Sequence, residues 1–183
     1  MEANTHNIYL FKALDAYSYS IEETMEALNY ALSYDPQNTE ALYLMAQVYG
    51  FQLKDYETSK GYFEKLMGID IHMTKMYPDY ICVLIRNEDY PQAQRLLEFA
   101  LTVKGTDKAL LRLLQGQLLE SQKVLKAAMA AFELAKEECG NSQFIHFVEG
   151  EIARVKNKRS SKKDKKKKNK KRKEKKSTSR KKK

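Results

Sequence analysis

The chain has 183 residues and a formal net charge of +9, and this length indicates one folded domain with an appendage. The charge is divided unevenly, because residues 156–183 carry 19 Lys and Arg against 2 acidic residues, whereas residues 1–155 carry 14 against 22. No stretch reaches the roughly 18 apolar residues of a transmembrane helix, and the first residues lack the pattern of a secretory signal, so neither a membrane protein nor a secreted one is expected.

Cysteine usage indicates a reducing compartment. Cys82 and Cys139 form no CxxC pair and lie in segments with helical periodicity, which argues against a disulfide framework or a zinc site. We therefore expect a cytoplasmic protein, or a nuclear one if the source is eukaryotic.

A three-residue motif recurs along the chain at a nearly constant interval. It consists of a small residue, an apolar residue four positions later, and a small or apolar residue three positions after that. Its four copies are Thr24, Leu28, Ala31; Ser59, Phe63, Leu66; Ala93, Leu97, Ala100; and Ala128, Phe132, Ala135. Their first members are 35, 34 and 35 residues apart, and such a period is typical of stacked helical hairpins.

The segments around each motif have the periodicity of paired helices. In chain order the four units cover about 5–38, 39–73, 74–107 and 108–141. The second unit is the clearest, with apolar stripes on both sides of a short turn at residues 53–55. In the third unit, Pro91 stands in the first turn of the second helix, where a proline costs no hydrogen bond.

A closing helix over 142–157 should complete the array. Its apolar residues, spaced by four, four and three, are Phe144, Val148, Ile152 and Val155. From Lys156 onward the sequence contains no apolar residue, so it cannot bury enough surface to fold. The sequence therefore predicts a repeat domain over 1–155 and a disordered tail rich in Lys and Arg over 156–183.

The repeated positions resemble the tetratricopeptide repeat (TPR), in which bulky, Leu-Gly and Tyr positions of a first helix precede Ala, aromatic, Ala and Pro positions of a second. The matching residues are Ile8, Phe11, Leu28, Ala31 and Pro36; Leu42, Met45, Ala46, Tyr49, Tyr56, Ser59, Phe63 and Leu66; Tyr77, Tyr80, Leu84, Tyr90, Ala93, Leu97 and Ala100; and Gly116, Leu119, Ala128, Phe132 and Ala135. The resemblance implies an all-α fold: a right-handed α-solenoid of about four TPR-type hairpins with a C-terminal capping helix.

Motifs for catalysis or for a cofactor are not found in the sequence. The histidines, His6, His72 and His146, lie in separate units without HExxH spacing. None of the glycines lies in a phosphate-binding GxGxxG or GxxxxGK pattern. We therefore expect a protein that is not an enzyme and needs no cofactor or metal.

The resemblance also implies a concave groove, lined by the first helices, that holds an extended or helical segment of a partner protein. The groove positions are Tyr9, Ala13, Tyr17, Tyr43, Gln47, Phe51, Pro78, Cys82, Leu113 and Gln117. Tyrosine combines a large contact area with a hydrogen-bonding tip, so Tyr9, Tyr17 and Tyr43 are candidate hot spots. The alternative is that these aromatic side chains only pack between helices.

The family's clamp for chaperone C-terminal carboxylates uses Lys, Asn and Arg at these positions, and this groove lacks them. That particular role is therefore not expected. Self-association through the apolar groove is a further possibility, which would make the protein a homo-oligomer.

The tail has no aromatic residue to stack on bases, so it can act only through its charge. The basic residues of its densest run are Lys162, Lys163, Lys165, Lys166, Lys167, Lys168, Lys170, Lys171, Arg172 and Lys173. Contact with nucleic acid or another polyanion would depend steeply on salt and ignore sequence. The alternatives are a solubilising or targeting tail, attraction to anionic lipid, and binding to the chain's own acidic body.

The sequence therefore predicts a non-enzymatic adaptor or scaffold with a protein partner in the groove and non-specific polyanion contact through the tail. The alternative is a factor associated with nucleic acid or ribosomes, in which the tail binds and the repeats are only a platform. Pull-down with and without the tail would separate these two hypotheses.

Overall fold

The structure is a computed structural model that describes residues 5–160, with side chains from residue 8 onward. The basic run that begins at Lys162 therefore lies outside the described residues, as does most of the predicted tail. The chain divides into two compact units, with the boundary between Asp107 and Lys108, and each unit is described by itself. All regular structure within residues 5–160 is helical.

The first unit contains three helical hairpins. Its elements are α1 (Thr5–Ala16), α2 (Ile21–Tyr34), α3 (Thr39–Gln47), a π-helical segment (Val48–Leu53), α4 (Tyr56–Ile69), α5 (Met76–Arg86) and α6 (Tyr90–Thr102). Neighbours along the chain pack together, α1 on α2, α3 on α4 and α5 on α6, and adjacent hairpins are in contact through α2 with α3 and α4 with α5. This is the order that short connections between antiparallel helices produce.

Capping side chains fix where several of these helices begin. Ser20 accepts a hydrogen bond from the backbone N–H of Glu23, Asn38 does the same for Ala41, and Asp55 does so for Thr58. Each cap satisfies one of the backbone donors that the first turn of a helix leaves free.

The hairpin turns share a backbone conformation that the sequence did not predict. Lys54, Glu88 and Lys123 have positive φ angles of 59°, 63° and 67°, and they are 34 and 35 residues apart. Residues with a Cβ adopt this left-handed conformation at a cost of about 1 kcal/mol. The spacing shows that the same turn ends the first helix of each of these three hairpins.

The recurring small residues are buried where two helices of a hairpin meet. Thr24, Ser59, Ala93 and Ala128 are all fully buried. The two hydroxyls are satisfied by backbone carbonyls: Thr24 Oγ1 donates to the carbonyl oxygen of Ser20, and Ser59 Oγ to that of Ala46, both at 2.7 Å. The motif therefore marks helix–helix contacts, as its spacing predicts.

One glycine explains the close approach around the π-helical segment. A Cβ on Gly50 would lie 2.7 Å from both Ser59 Oγ and Val83 Cγ2. Because no side-chain carbon approaches its neighbours so closely, this position accepts only glycine without a local shift. Gly50 thus lets the end of the first helix of hairpin two lie against both α4 and α5.

The second unit consists of α7 (Lys108–Ser121), α8 (Leu125–Glu137) and α9, which covers 142–160. Its buried core includes Phe132 from α8 and Val148 and Val155 from α9, with Phe144 and Ile152 packed against it. The four apolar residues predicted for the closing helix are therefore the ones that pack against the core of the second unit. A Cβ on Gly116 of α7 would overlap the ring of Phe132, so these two helices also touch across a glycine.

The closing helix is longer than the sequence predicted, because it continues from residue 157 to residue 160, within the predicted tail. Charge pairing explains the extension: Arg154 donates two hydrogen bonds of 2.6 Å to Glu120 of α7, and Lys158 adds one of 3.0 Å. The side chain of Glu120 is only 9% exposed. Hydrogen bonds from these two basic residues hold the pKa of Glu120 below its usual value.

Candidate functional site

The predicted groove residues on α3 form one polar cluster with α5. Tyr43 donates a hydrogen bond of 2.6 Å from its hydroxyl to Asp79 Oδ2, and Gln47 Nε2 donates one of 2.9 Å to the same oxygen. Gln47 Nε2 also lies 3.1 Å from the Tyr43 hydroxyl. A carboxylate of α5 therefore fixes two side chains of the preceding hairpin on a common surface.

The cluster continues one helical turn further along both helices. Phe51, four residues after Gln47, lies under the guanidinium of Arg86, with 5.1 Å between the guanidinium carbon and the ring centroid. Arg86 follows Asp79 by seven residues, which places both on one face of α5. Tyr43, Gln47, Phe51, Asp79 and Arg86 are called the α3–α5 patch below.

A basic residue flanks the patch on the side of the α5 N-terminus. The ammonium of Lys75 lies 4.9 Å from the ring centroid of Tyr43 and forms an ion pair of 2.6 Å with Glu40. Both charged side chains are about half exposed, so the ion pair itself stabilises the fold little. The pair places two charges at the edge of the patch, next to the aromatic ring of Tyr43.

The electrostatics of the patch follow from partial burial beside a carboxylate. Burial raises the pKa of Tyr43, and its hydrogen bond to Asp79 raises it further. Burial also raises the pKa of Tyr17 and of the Cys82 thiol, and the negative charge of Asp79 adds to both shifts. The two phenols and the thiol therefore remain protonated at neutral pH, and the only carboxylate within the patch is that of Asp79.

Tyr17, the first residue after α1, is hydrogen-bonded to Gln52, the residue that follows Phe51 of the patch. Its backbone carbonyl accepts a hydrogen bond of 3.0 Å from Gln52 Nε2. The other side-chain atom, Gln52 Oε1, is buried and accepts no hydrogen bond within the described part of the chain. An unpaired buried acceptor costs roughly 1–3 kcal/mol, so a hydrogen bond from a donor that reached Gln52 Oε1 would be favourable.

The structure therefore brings together part of the predicted groove. Tyr43, Gln47 and Phe51 lie in the patch, while Tyr17 and Cys82 are half-buried beside it. The remaining positions lie as follows: Tyr9 stacks on Tyr30 and Tyr34 of α2, Pro78 is half-buried in the first turn of α5, and Gln117 is half-buried on α7 of the second unit.

Two groove predictions are wrong, because the residues are buried in cores. Ala13 is fully buried in the core of the first unit, and Leu113 is 6% exposed in the core of the second. Successive residues of an α-helix are rotated by about 100° around its axis. An error of one position in the repeat alignment therefore moves a predicted residue from the exposed face to the buried face.

Two important patch residues were not predicted. Asp79 was not predicted, because a repeat spacing of 35 residues from Tyr43 leads to its neighbour Pro78. Arg86 stands 35 residues after Phe51, so the repeat spacing could have found it.

Metal or membrane-spanning features do not occur in the described residues. Between residues 5 and 160, no group of three or more His, Cys, Asp or Glu side chains is placed to hold a metal ion. In the same range, no helix is both long enough and apolar enough to cross a membrane.

Comparison with known proteins identifies the fold through structure alone. No protein-family model matches the chain, and no curated protein matches its sequence. Two solved structures of MamA are similar: "MamA 41-end from Desulfovibrio magneticus RS-1", with a TM-score of 0.68 and 16% identity, and "MamA RS-1 ArsTM double mutant", with 0.67 and 14%. The matches cover 88% of this chain and 94% and 99% of those chains.

At this level of identity the similarity concerns the fold only. MamA is a TPR-like protein, so this chain has a TPR-like fold. The predicted fold class, an all-α array of TPR-type hairpins closed by a C-terminal helix, is confirmed.

Proposed function

We propose that this chain belongs to the TPR family and acts as a non-enzymatic scaffold that holds a segment of a partner protein on the α3–α5 patch. The observation that carries the proposal is the hydrogen-bonded cluster of Tyr43, Gln47 and Asp79 on the first helices of two adjacent hairpins. Arrays of helical hairpins use that face for extended binding surfaces. The TPR-like fold of the MamA structures supports a role in protein interaction.

The chemistry of the patch suits a segment with both apolar and polar side chains. The rings of Tyr43 and Phe51 offer contact area, while Asp79 and Arg86 offer one acceptor and one donor of opposite charge. Because internal hydrogen bonds already orient Tyr43 and Gln47, little side-chain entropy remains to be lost on binding. Such pre-organised aromatic residues are typical of binding hot spots.

A matched pair of arginine variants tests this function in the full chain. Arg86→Glu reverses a charge in the patch, whereas Arg95→Glu reverses one on α6, and both arginines are exposed. Partners are first co-purified with the wild-type chain from its source, and the affinity of each purified partner is then measured for all three proteins. A partner of the patch should bind Arg86→Glu at least about ten-fold more weakly and Arg95→Glu normally. Equal affinities for all partners would overturn the proposal.

For the basic tail we propose non-specific contact with nucleic acid or another polyanion. The supporting observation is the run 162–173, which holds ten basic residues against one acidic residue. Affinity for duplex DNA should then fall with salt, with a logarithmic slope of about −0.9 for each phosphate contact. The alternative function, a nucleic-acid or ribosome factor with the repeats as a platform, predicts this same slope but no effect of Arg86→Glu on any partner.

We also propose that the repeat domain over 1–155 and the tail over 156–183 act as separate functional parts, with residues 156–160 serving as the helical link. Removal of residues 161–183 should then abolish polyanion binding and leave partner binding on the patch intact. We place the protein in the cytoplasm, or in the nucleus of a eukaryotic cell, where polyanions of this kind are abundant.

A further inference from the structure

A second surface of the first unit has a composition unlike that of the patch. Between α1 and α2 lies a cleft of about 300 Å³, whose lining includes Tyr9, Asp15, Tyr19, Glu23, Glu26 and Tyr30. Three rings and three carboxylates thus face one opening. This lining is called the α1–α2 cleft below.

The rings of the cleft are held in place and remain accessible. Tyr9 stacks on Tyr30 with 5.2 Å between ring centroids and an interplanar angle of 25°. Tyr30 is 49% exposed and Tyr19 is 67% exposed. A cation over such a ring face is attracted by the quadrupole of the ring.

The cleft carries a net negative charge. Asp15, Glu23 and Glu26 are exposed, and Lys12 is the only Lys or Arg between positions 5 and 34. Loss of surrounding water raises the pKa of Tyr19, and the negative charges of Asp15 and Glu23 raise it further. A positively charged side chain that enters the cleft therefore meets aromatic faces and several carboxylates together.

The chain itself shows that a lysine fits there. The ammonium of Lys12 lies 5.6 Å from the ring centroid of Tyr9, within the range of a cation–π contact. One lysine leaves the excess of carboxylates in the cleft unbalanced, because residues 5–34 carry four acidic residues.

We propose that the α1–α2 cleft binds a lysine-rich segment, and that its occupant is the run 162–173 of this chain. Charge complementarity favours this occupant: described residues 5–107 carry 15 acidic and 8 basic residues, whereas the run carries ten basic residues and one acidic residue. The run itself has 12 residues and spans up to about 40 Å when extended, so it is long enough to lie across the cleft. This surface is separate from the α3–α5 patch and does not depend on its function.

A labelled peptide tests the cleft in the full chain. The probe is a fluorescent peptide of residues 161–176, titrated with protein at low salt while anisotropy is recorded. The double variant Glu23→Gln/Glu26→Gln should bind the peptide about five-fold more weakly than wild type. The control Glu98→Gln/Glu137→Gln removes the same charge from exposed positions outside the cleft and should change affinity less than about two-fold. Equal losses would show general electrostatic attraction and overturn the proposal.

A third variant separates the rings from the charge. Tyr30→Leu keeps an apolar side chain at an exposed position and removes the ring with its hydroxyl but no formal charge, so it should weaken binding roughly two- to five-fold. Unchanged affinity would overturn the aromatic part of the site. Far-UV circular dichroism of each variant verifies that the helices are retained.

A final arm tests whether the chain's own run is the occupant. In full-length protein the run competes with the peptide, so replacing Lys165, Lys166, Lys167 and Lys168 by glutamine should strengthen peptide binding several-fold. The cleft carboxylates remain in place in this variant. If peptide affinity does not rise, the cleft binds this segment only as a free peptide, and the assignment of the chain's own run as the occupant is overturned.

Discussion

Replacing Gly116 by alanine should destabilise the second unit, although alanine is the better helix former. A Cβ at this position would lie 2.7 Å from Phe132 Cζ and closer still to two other atoms of the ring. Phe132 is fully buried, so the ring cannot move without disturbing its neighbours. Overpacking of this kind costs about 1–3 kcal/mol, against a gain of roughly 0.5–1 kcal/mol from removing a helical glycine. The net loss should be about 1 kcal/mol.

The matched control is Gly150→Ala in α9 of the same unit. Nothing lies within 4 Å of a Cβ built on Gly150, so only the helix-forming gain applies and the variant should be about 0.5–1 kcal/mol more stable than wild type. The chain has no Trp, so urea unfolding is best followed by circular dichroism of the helices. If Gly116→Ala proves as stable as Gly150→Ala, the close contact between α7 and α8 is refuted.

Three further changes test other contacts. Glu120→Gln should lower the unfolding free energy by about 1 kcal/mol at neutral pH. Hydrogen bonds from Arg154 and Lys158 hold the pKa of Glu120 below its usual value. The contribution is therefore complete above the usual pKa of a glutamate and is lost as pH falls through the lowered folded-state pKa, so the two denaturation curves should converge in acid. Lys123→Gly should be at least as stable as wild type and Lys123→Val less stable, since φ is 67° there; equal thermal midpoints for the glycine and valine variants would contradict this. Ser59→Ala should lose about 1 kcal/mol, because its buried hydroxyl bonds the carbonyl oxygen of Ala46, and a denaturation midpoint equal to wild type would count against that bond.

The repeat period was sufficient to predict the fold because it reflects packing between adjacent helices. A small residue at Ser59 or Ala128 and a ring at Phe63 or Phe132 are all fully buried, as their spacing indicates. The turns could not be predicted in the same way. Left-handed backbone is usually signalled by glycine, and here Lys and Glu occupy those positions.

The residues of the α3–α5 patch were predicted only in part, because the face on which a helical residue lies depends on the register to within one residue. Tyr43 and Gln47 follow directly from the repeat, but their partner Asp79 comes from another hairpin and forms its hydrogen bonds only in the folded chain. Ala13 and Leu113 were predicted to line the groove, but their helix faces pack into the cores of the two units. The α1–α2 cleft was not predicted, because carboxylates spaced like Glu23 and Glu26 on a helix are usually solvated.

Site-specific photo-crosslinking tests the proposed scaffold function most directly. A photoreactive amino acid replaces Gln47 in the α3–α5 patch of the full chain, and the same amino acid at exposed Glu98 of α6 serves as the control. After irradiation in the source cell, position 47 should yield a crosslink to one defined segment of a partner protein, and this product should disappear when Arg86→Glu is added. Crosslinks that are the same from both positions, or that persist with Arg86→Glu, would contradict the assignment of the patch as the partner-binding surface.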